Sequence, residues 1–175
     1  MKKTLLVLTI LMLGAGVAYA GEMPAGWTPP KPSAELERMK SLEGRWIGPG
    51  MHKDDKETAV VYHVTSGGTA VEERMSPGTS HEMLSVYRDV KGKLTMTHYC
   101  MLGNQPEMEL ANAAPDKLVL SETPGSASLL GGQARMNGLT LEFPDKDSLV
   151  QTWTGLGADG KPMEPSTVLK LKKES

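Results

Sequence analysis

The sequence predicts an all-β fold, one antiparallel barrel or sandwich of about eight to ten short strands. Two observations carry this prediction. From residue 58 onward, short runs of alternating apolar and polar residues are separated by turn residues at nearly regular spacing. The only helical pattern is short: Leu36 and Met39 lie three positions apart, behind Ser33, a residue type that caps helices, and the pattern ends near Lys40.

Residues 1–20 have the pattern of a secretory signal peptide. A basic Met1-Lys2-Lys3 start is followed by an apolar run, residues 4–17, that is too short to span a bilayer comfortably. Ala18-Tyr19-Ala20 then supplies the small residues of a cleavage site, and no cysteine follows to accept a lipid. We expect cleavage after Ala20, a periplasmic or secreted protein, and no transmembrane segment in the mature chain. An uncleaved N-terminal anchor is the alternative.

Composition limits the partners of the mature chain. Removal of residues 1–20 takes away two lysines and no acid, so 19 basic residues become 17 against 21 acidic ones, a net charge of −4. This balance argues against nucleic acid or an anionic membrane surface as partner, because both require clustered Lys and Arg. Cys100 is the only cysteine, so an internal disulfide is excluded, and its thiol is buried, reactive, ligating or bridged to another molecule.

The mature chain predicts a proline-rich extended arm over residues 21–32 and a single domain over residues 33–175. No internal repeat and no domain boundary are visible within it. The predicted strands are residues 58–65, 69–75, 81–88, 93–101, 117–121, 133–136, 139–143, 148–154 and 167–171.

The first predicted hairpin turns at Ser66-Gly67-Gly68. Pairing across Gly67-Gly68 places Tyr62 opposite Glu73 on one mostly apolar face. That face consists of Val60, Tyr62, Val64, Val71, Glu73 and Met75. Glu73 is therefore a candidate buried carboxylate, with a position at a water-filled rim as the alternative.

The second predicted hairpin turns within residues 89–92. The expected pairs are Tyr87 with Leu94, Ser85 with Met96, Met83 with His98, and His81 with Cys100. Side chains alternate along a strand, so all eight share one face. A face that mixes histidine, methionine, serine and cysteine is typical of a cavity lining, and the Gly103-Asn104-Gln105-Pro106 turn follows it. Asn104 and Gln105 either frame the mouth of that cavity or stabilise the turn locally.

The short helix followed by Leu42-x-Gly44-x-Trp46-x-Gly48 and then only hairpins resembles the opening of the lipocalin-like (calycin) barrels. Thr97-His98-Tyr99-Cys100 with Gly103-Asn104-Gln105-Pro106 is similar to small exported bacterial proteins of uncharacterised function with that layout. The resemblance implies a single up-and-down barrel in which Trp46 plugs the closed end and the inward residues of the 81–101 hairpin face a ligand. Fold likeness does not itself assign a function.

Three functions compete. The first is a non-enzymatic barrel that binds a small hydrophobic or amphipathic molecule, lined by Tyr62, Glu73, His81, Met83, Ser85, Met96, His98 and Cys100, with Trp46, Asn104 and Gln105 completing the site. The second is a soft-metal (copper) or haem site that uses His81, Met83, Met96, His98 and Cys100. The third is an enzyme with Cys100 as nucleophile and a histidine base. The sequence names no cofactor, ligand or oligomeric state.

Overall fold

A computed structural model describes residues 26, 28, 30–126 and 132–174 of the chain. The predicted signal peptide and most of the predicted proline-rich arm lie outside these residues. One helix, α1 (Ala34–Lys40), precedes ten strands: β1 (Gly44–Pro49), β2 (Glu57–Thr65), β3 (Ala70–Met75), β4 (Met83–Val90), β5 (Lys93–Tyr99), β6 (Glu107–Ala114), β7 (Lys117–Glu122), β8 (Arg135–Asp145), β9 (Ser148–Leu156) and β10 (Thr167–Lys173). Within the described ranges, no helix has both the length and the apolar character needed to cross a bilayer.

The strands form a closed barrel in which each strand pairs antiparallel with its neighbours along the chain. Pairing of β1 with β10, through Trp46 and Lys173, completes the ring. The predicted all-β, up-and-down barrel of about 8–10 strands with a short N-terminal helix is therefore confirmed. Closure leaves two ends that differ in how they are covered.

Helix α1 covers one end, which we call the closed end. Ser33 caps the helix by accepting a hydrogen bond from the Leu36 amide (3.0 Å), and its own amide donates to Asp89 at the β4–β5 turn (2.6 Å). Arg38 donates to the Ala114 carbonyl at the β6–β7 turn (2.6 Å). Leu36 and Met39 are buried, as their spacing predicts. The helix is thus fixed across the turns at this end.

The register of the β2–β3 hairpin is as predicted. Tyr62 faces Glu73, Val60 faces Met75 and Val64 faces Val71. The turn residue Gly67 has a φ of +64°, a conformation that glycine adopts without strain.

The predicted register of the β4–β5 hairpin is wrong by two residues. The turn residues are Lys91 and Gly92, whereas the predicted pairs centre the turn one residue earlier. Both residues have positive φ, as a two-residue type I′ turn requires. The observed pairs are Ser85 with His98, Tyr87 with Met96, and Asp89 with Leu94. A shift of two preserves the face of every side chain. Ser85, Tyr87, Leu94, Met96 and His98 are accordingly all buried.

Three strand assignments also differ from the sequence prediction. Strand β6 was not predicted, because Glu107–Ala114 carries exposed polar residues and lacks β-branched ones. The break predicted at Asn137-Gly138 is a bulge inside the single strand β8. Strands β4 and β5 stop short of His81 and Cys100, so the predicted pairing of these two residues does not form.

Candidate functional site

The barrel end opposite α1 contains a cavity of about 400 Å³, which we call the mouth cavity. Its walls come from the ends of six strands and from the β1–β2, β5–β6 and β9–β10 loops. The lining residues are Met51, His52, Met75, Met83, His98, Cys100, Met101, Leu102, Met136, Trp153, Met163 and Thr167. Six of these twelve residues are methionines and none is Lys, Arg, Asp or Glu. A smaller cavity of about 220 Å³ at the closed end is bordered by the charged residues Arg38, Asp145 and Lys146.

The methionines meet because strands end and begin at the same barrel rim. Met75 is the last residue of β3 and Met83 the first of β4, while Met136 lies at the start of β8. Met51 and Met163 reach the cavity from loops. Methionine is unbranched and polarisable, so it fills irregular space and adjusts to different shapes. The resulting wall is apolar and adaptable.

A row of polar side chains crosses the barrel interior beside this cavity. Tyr62 pairs with Glu73, Glu73 with Ser85, and Ser85 with His98, on the successive strands β2 to β5. We call these four residues the polar row. Each is at most 2% exposed. Four polar side chains at one level of the interior require specific hydrogen bonds, since burial without partners is costly.

Glu73 is the acidic member of the polar row. Its Oε2 accepts a hydrogen bond from the Tyr87 hydroxyl (2.6 Å), while Oε1 has no hydrogen-bond partner of good geometry among the described residues. Burial raises the pKa of the Glu73 carboxyl, an effect that nearby Tyr62, Tyr87 and Gln151 only partly oppose. Burial, together with the Glu73 charge, also raises the pKa values of Tyr62 and Tyr87 well above the ordinary range. The interior favours neutral forms of these groups.

His98 is the member of the polar row that reaches the mouth cavity. Its Nδ1 is 3.0 Å from the Ser85 hydroxyl, and its ring centroid lies 4.8 Å from that of Trp153. Burial lowers the pKa of the His98 imidazole to about 4, so the ring is neutral near neutral pH. No hydrogen bond to Nε2 occurs within the described part of the chain. His98 therefore offers the cavity one neutral nitrogen.

A second set of hydrogen bonds crosses the lumen from β9. The Trp153 indole donates to Gln151 Oε1 (3.1 Å), and Gln151 Nε2 donates to the Tyr62 hydroxyl. All three side chains are at most 3% exposed. These bonds fix Trp153 beside His98, which holds the inner wall in one arrangement.

The rim of the cavity is built from loops. The rings of His52 and His81 stack with their centroids 4.1 Å apart, which links the β1–β2 and β3–β4 loops. Asn104 donates to the Ala134 carbonyl (2.8 Å) and so ties the β5–β6 loop to the segment before β8. The Asn104 side chain therefore bonds to a residue distant in sequence and does not stabilise a local turn. The Gln105 amide remains local and donates to the Gly103 carbonyl (3.3 Å).

The structure distributes the sequence-predicted site residues over five places. Met83, His98 and Cys100 line the mouth cavity. Tyr62, Glu73, Ser85 and Met96 are buried in the barrel interior without lining it, and His81 stacks at the rim. Trp46 is 1% exposed at the closed end, where its indole donates to the Leu42 carbonyl (2.7 Å). Asn104 and Gln105 lie in the β5–β6 loop outside the lining.

Sequence reasoning missed most of the lining. Met51, His52, Met136 and Met163 come from loops and from β8, outside the two predicted hairpins, and Met101 was assigned to a strand although it lies in the β5–β6 loop. The signal available was the methionine content itself: the chain has twelve methionines and a single phenylalanine. Pairing of neighbouring strands alone does not show that these residues converge on one cavity.

Two observations bear on metal binding and on the thiol. Among the residues that the structure describes, no group of three or more His, Cys, Asp or Glu side chains is placed to hold a metal ion. Cys100 is a free, half-buried thiol, and none of the hydrogen bonds of the described residues joins it to a histidine.

A scan against models of known protein families finds no match, and a search of curated proteins finds none either. The closed antiparallel barrel is compatible with a lipocalin-like layout. Its architecture and the mouth cavity are therefore the basis for functional inference.

Proposed function

We propose that this protein is an exported binding protein that holds a small hydrophobic or amphipathic molecule in the mouth cavity. One observation carries the proposal: a cavity of about 400 Å³ at the end of the barrel opposite α1 has methionine-rich walls and no Lys, Arg, Asp or Glu lining. Binding sites for small molecules commonly measure roughly 300–1,000 Å³ and combine apolar walls with a few fixed polar groups.

The cavity has a fixed inner wall and an adaptable outer wall, and this combination supports ligand binding. The inner wall is held by the hydrogen bonds of Ser85, His98, Gln151 and Trp153, so its polar groups keep their positions. The outer wall consists of methionines on strand ends and loops, which repack at low cost. A rigid polar floor with an adaptable apolar wall suits a ligand that is mostly apolar.

The test is native mass spectrometry of protein purified from the periplasm, with the N-terminus sequenced in the same sample. We expect a chain that begins at Gly21 and a co-purified organic mass. Met136→Trp fills the cavity and should remove that mass, whereas the matched Val168→Trp, on an exposed position of β10, should retain it. Equal retention by two folded variants would place the molecule elsewhere and refute the proposed site.

A soft-metal site is a second candidate, favoured by a specific observation. Six thioethers, the Cys100 thiol and the imidazoles of His52 and His98 all line one cavity. Thioether and thiolate ligands select the cuprous ion. Metal analysis of the purified protein, and its absorption spectrum for haem, test this alternative. Stoichiometric copper in the wild type that is lost in Cys100→Ser would favour it, and copper retained by that variant would argue against the cavity as its site.

A Cys100-dependent enzyme has less support. No hydrogen bond of the described residues links the thiol to His81 or His98, the bases expected for it. We therefore propose no catalytic role for Cys100.

A further inference from the structure

We propose that the ligand of the mouth cavity is an uncharged molecule with an aromatic or conjugated body and one hydrogen-bonding group, bound with that group against His98. This inference rests on the proposed binding function and specifies its ligand. It follows from three features of the cavity: its lining without Lys, Arg, Asp or Glu, the His98 nitrogen on its inner side, and the chemistry of its walls.

The cavity has no charged lining residue that could pair with an ionic ligand. None of the lining residues is Lys, Arg, Asp or Glu, so a bound carboxylate, phosphate or ammonium group would have no counter-charge. The carboxyl group of Glu73 lies in the neighbouring interior, but it accepts from Tyr87 and does not line the cavity. A ligand that lies wholly within the cavity must therefore be neutral.

The position of His98 orients the ligand. The Ser85 hydroxyl holds Nδ1, while Nε2 has no hydrogen bond within the described ranges and the ring lines the cavity. A hydroxyl group both donates and accepts, so Ser85 accommodates either neutral tautomer of the ring. Nε2 is then an acceptor or a donor; a ligand hydroxyl meets either requirement, and a ligand carbonyl meets the requirement of an Nε2 donor. The polar group of the ligand therefore points inward.

The walls select the body of the ligand. Methionine sulfur makes favourable contacts with aromatic rings, often at the ring edge, and six methionines surround the space. The Trp153 indole, fixed by Gln151, adds a planar surface on the same side as His98. A flat, polarisable body uses these contacts better than a saturated chain does.

The test is calorimetric titration of the purified protein near neutral pH with naphthalene probes that differ only in their polar group. The probes are naphthalene, a naphthol, a naphthoate and naphthylmethylammonium. We expect the naphthol to bind about 3–10-fold more tightly than naphthalene, the factor given by one net hydrogen bond. Both ions should bind at least about tenfold more weakly than the naphthol. Equal or tighter binding of an ion overturns this inference but leaves the binding function intact. Failure of every probe to bind overturns both.

Variants locate the polar contact. His98→Leu should abolish the preference for the naphthol over naphthalene, and His98→Gln, which keeps a neutral hydrogen-bonding group, should retain part of it. His63→Leu is the matched control, because His63 is exposed on the outer face of β2. His52→Leu tests the rim, where His52 Nε2 is buried with no hydrogen-bond partner among the described residues. Loss of the preference in His52→Leu and its retention in His98→Leu would overturn the inward orientation.

Discussion

Acidification should destabilise the barrel through His98, and the size of the effect follows from its burial. The pKa of this imidazole falls from an ordinary value of 6.5 to about 4 in the folded protein because the ring is removed from water. The unfolded chain therefore binds a proton at a higher pH than the folded chain. The stability contribution is present above pH 6.5 and is lost as the pH falls to about 4. One pH unit corresponds to about 1.4 kcal/mol, so the full loss is about 3 kcal/mol.

A loss of that size is measurable, since small domains are stable by only about 5–15 kcal/mol. The assay is urea unfolding of the wild type and His98→Gln across the same pH series. Every other titrating group is shared, so the difference between the two curves isolates His98. We expect the wild type to lose about 3 kcal/mol more than His98→Gln between neutral pH and pH 4. His63→Gln, on the outer face, should follow the wild type. Parallel curves for the wild type and His98→Gln would refute the reasoning.

Three further changes have defined outcomes. Glu73→Gln should raise the free energy of unfolding at neutral pH, because burial raises the Glu73 pKa and so favours a neutral group. Urea unfolding should show this gain at neutral pH and its loss as the pH falls towards 4.5, and a gain that grows in acid would contradict the prediction. Gly48→Ala should cost about 1–3 kcal/mol in thermal unfolding, because its Cβ would lie 2.6 Å from the Lys170 carbonyl oxygen; an unchanged Tm would contradict this close approach. Ser33→Ala should lower the free energy of unfolding by about 0.5–2 kcal/mol, because it removes the cap of α1 and the hydrogen bond from the Ser33 hydroxyl to Asp89. A free energy from chemical unfolding within error of the wild type would show that the helix needs neither bond.

The part of the fold that the sequence predicts well is the part fixed by local rules. Ser33 and the spacing of Leu36 and Met39 predict α1, and the Gly67-Gly68 turn predicts the β2–β3 register, including Tyr62 opposite Glu73. Side-chain alternation also predicts the buried face of β4 and β5 correctly, since that face survives a two-residue error in register.

The remainder depends on contacts that local patterns do not contain. The position of the β4–β5 turn was wrong because Asp89 and Val90 extend β4, where Asp89 is held by Ser33 from outside the hairpin. Most of the cavity lining was missed, because residues such as Met51 and Met163 are brought to it by closure of the whole barrel. Strand β6 was missed because Glu107 and Glu109 alternate with its two large apolar residues, Met108 and Leu110, and only alanine and asparagine follow them.

The pairing of β1 with β10 has a consequence for the order in which the barrel assembles. Trp46 near the start of the described chain meets Lys173 near its end, so this contact has a far greater sequence separation than any hairpin. Such contacts form late and slow the overall rate, because most of the chain must be ordered first. Until residues 167–173 are available, both β1 and β9 present unpaired backbone edges, the surfaces through which strands of separate chains associate. A chain truncated before Thr167 should therefore tend to aggregate even though nine of its strands remain.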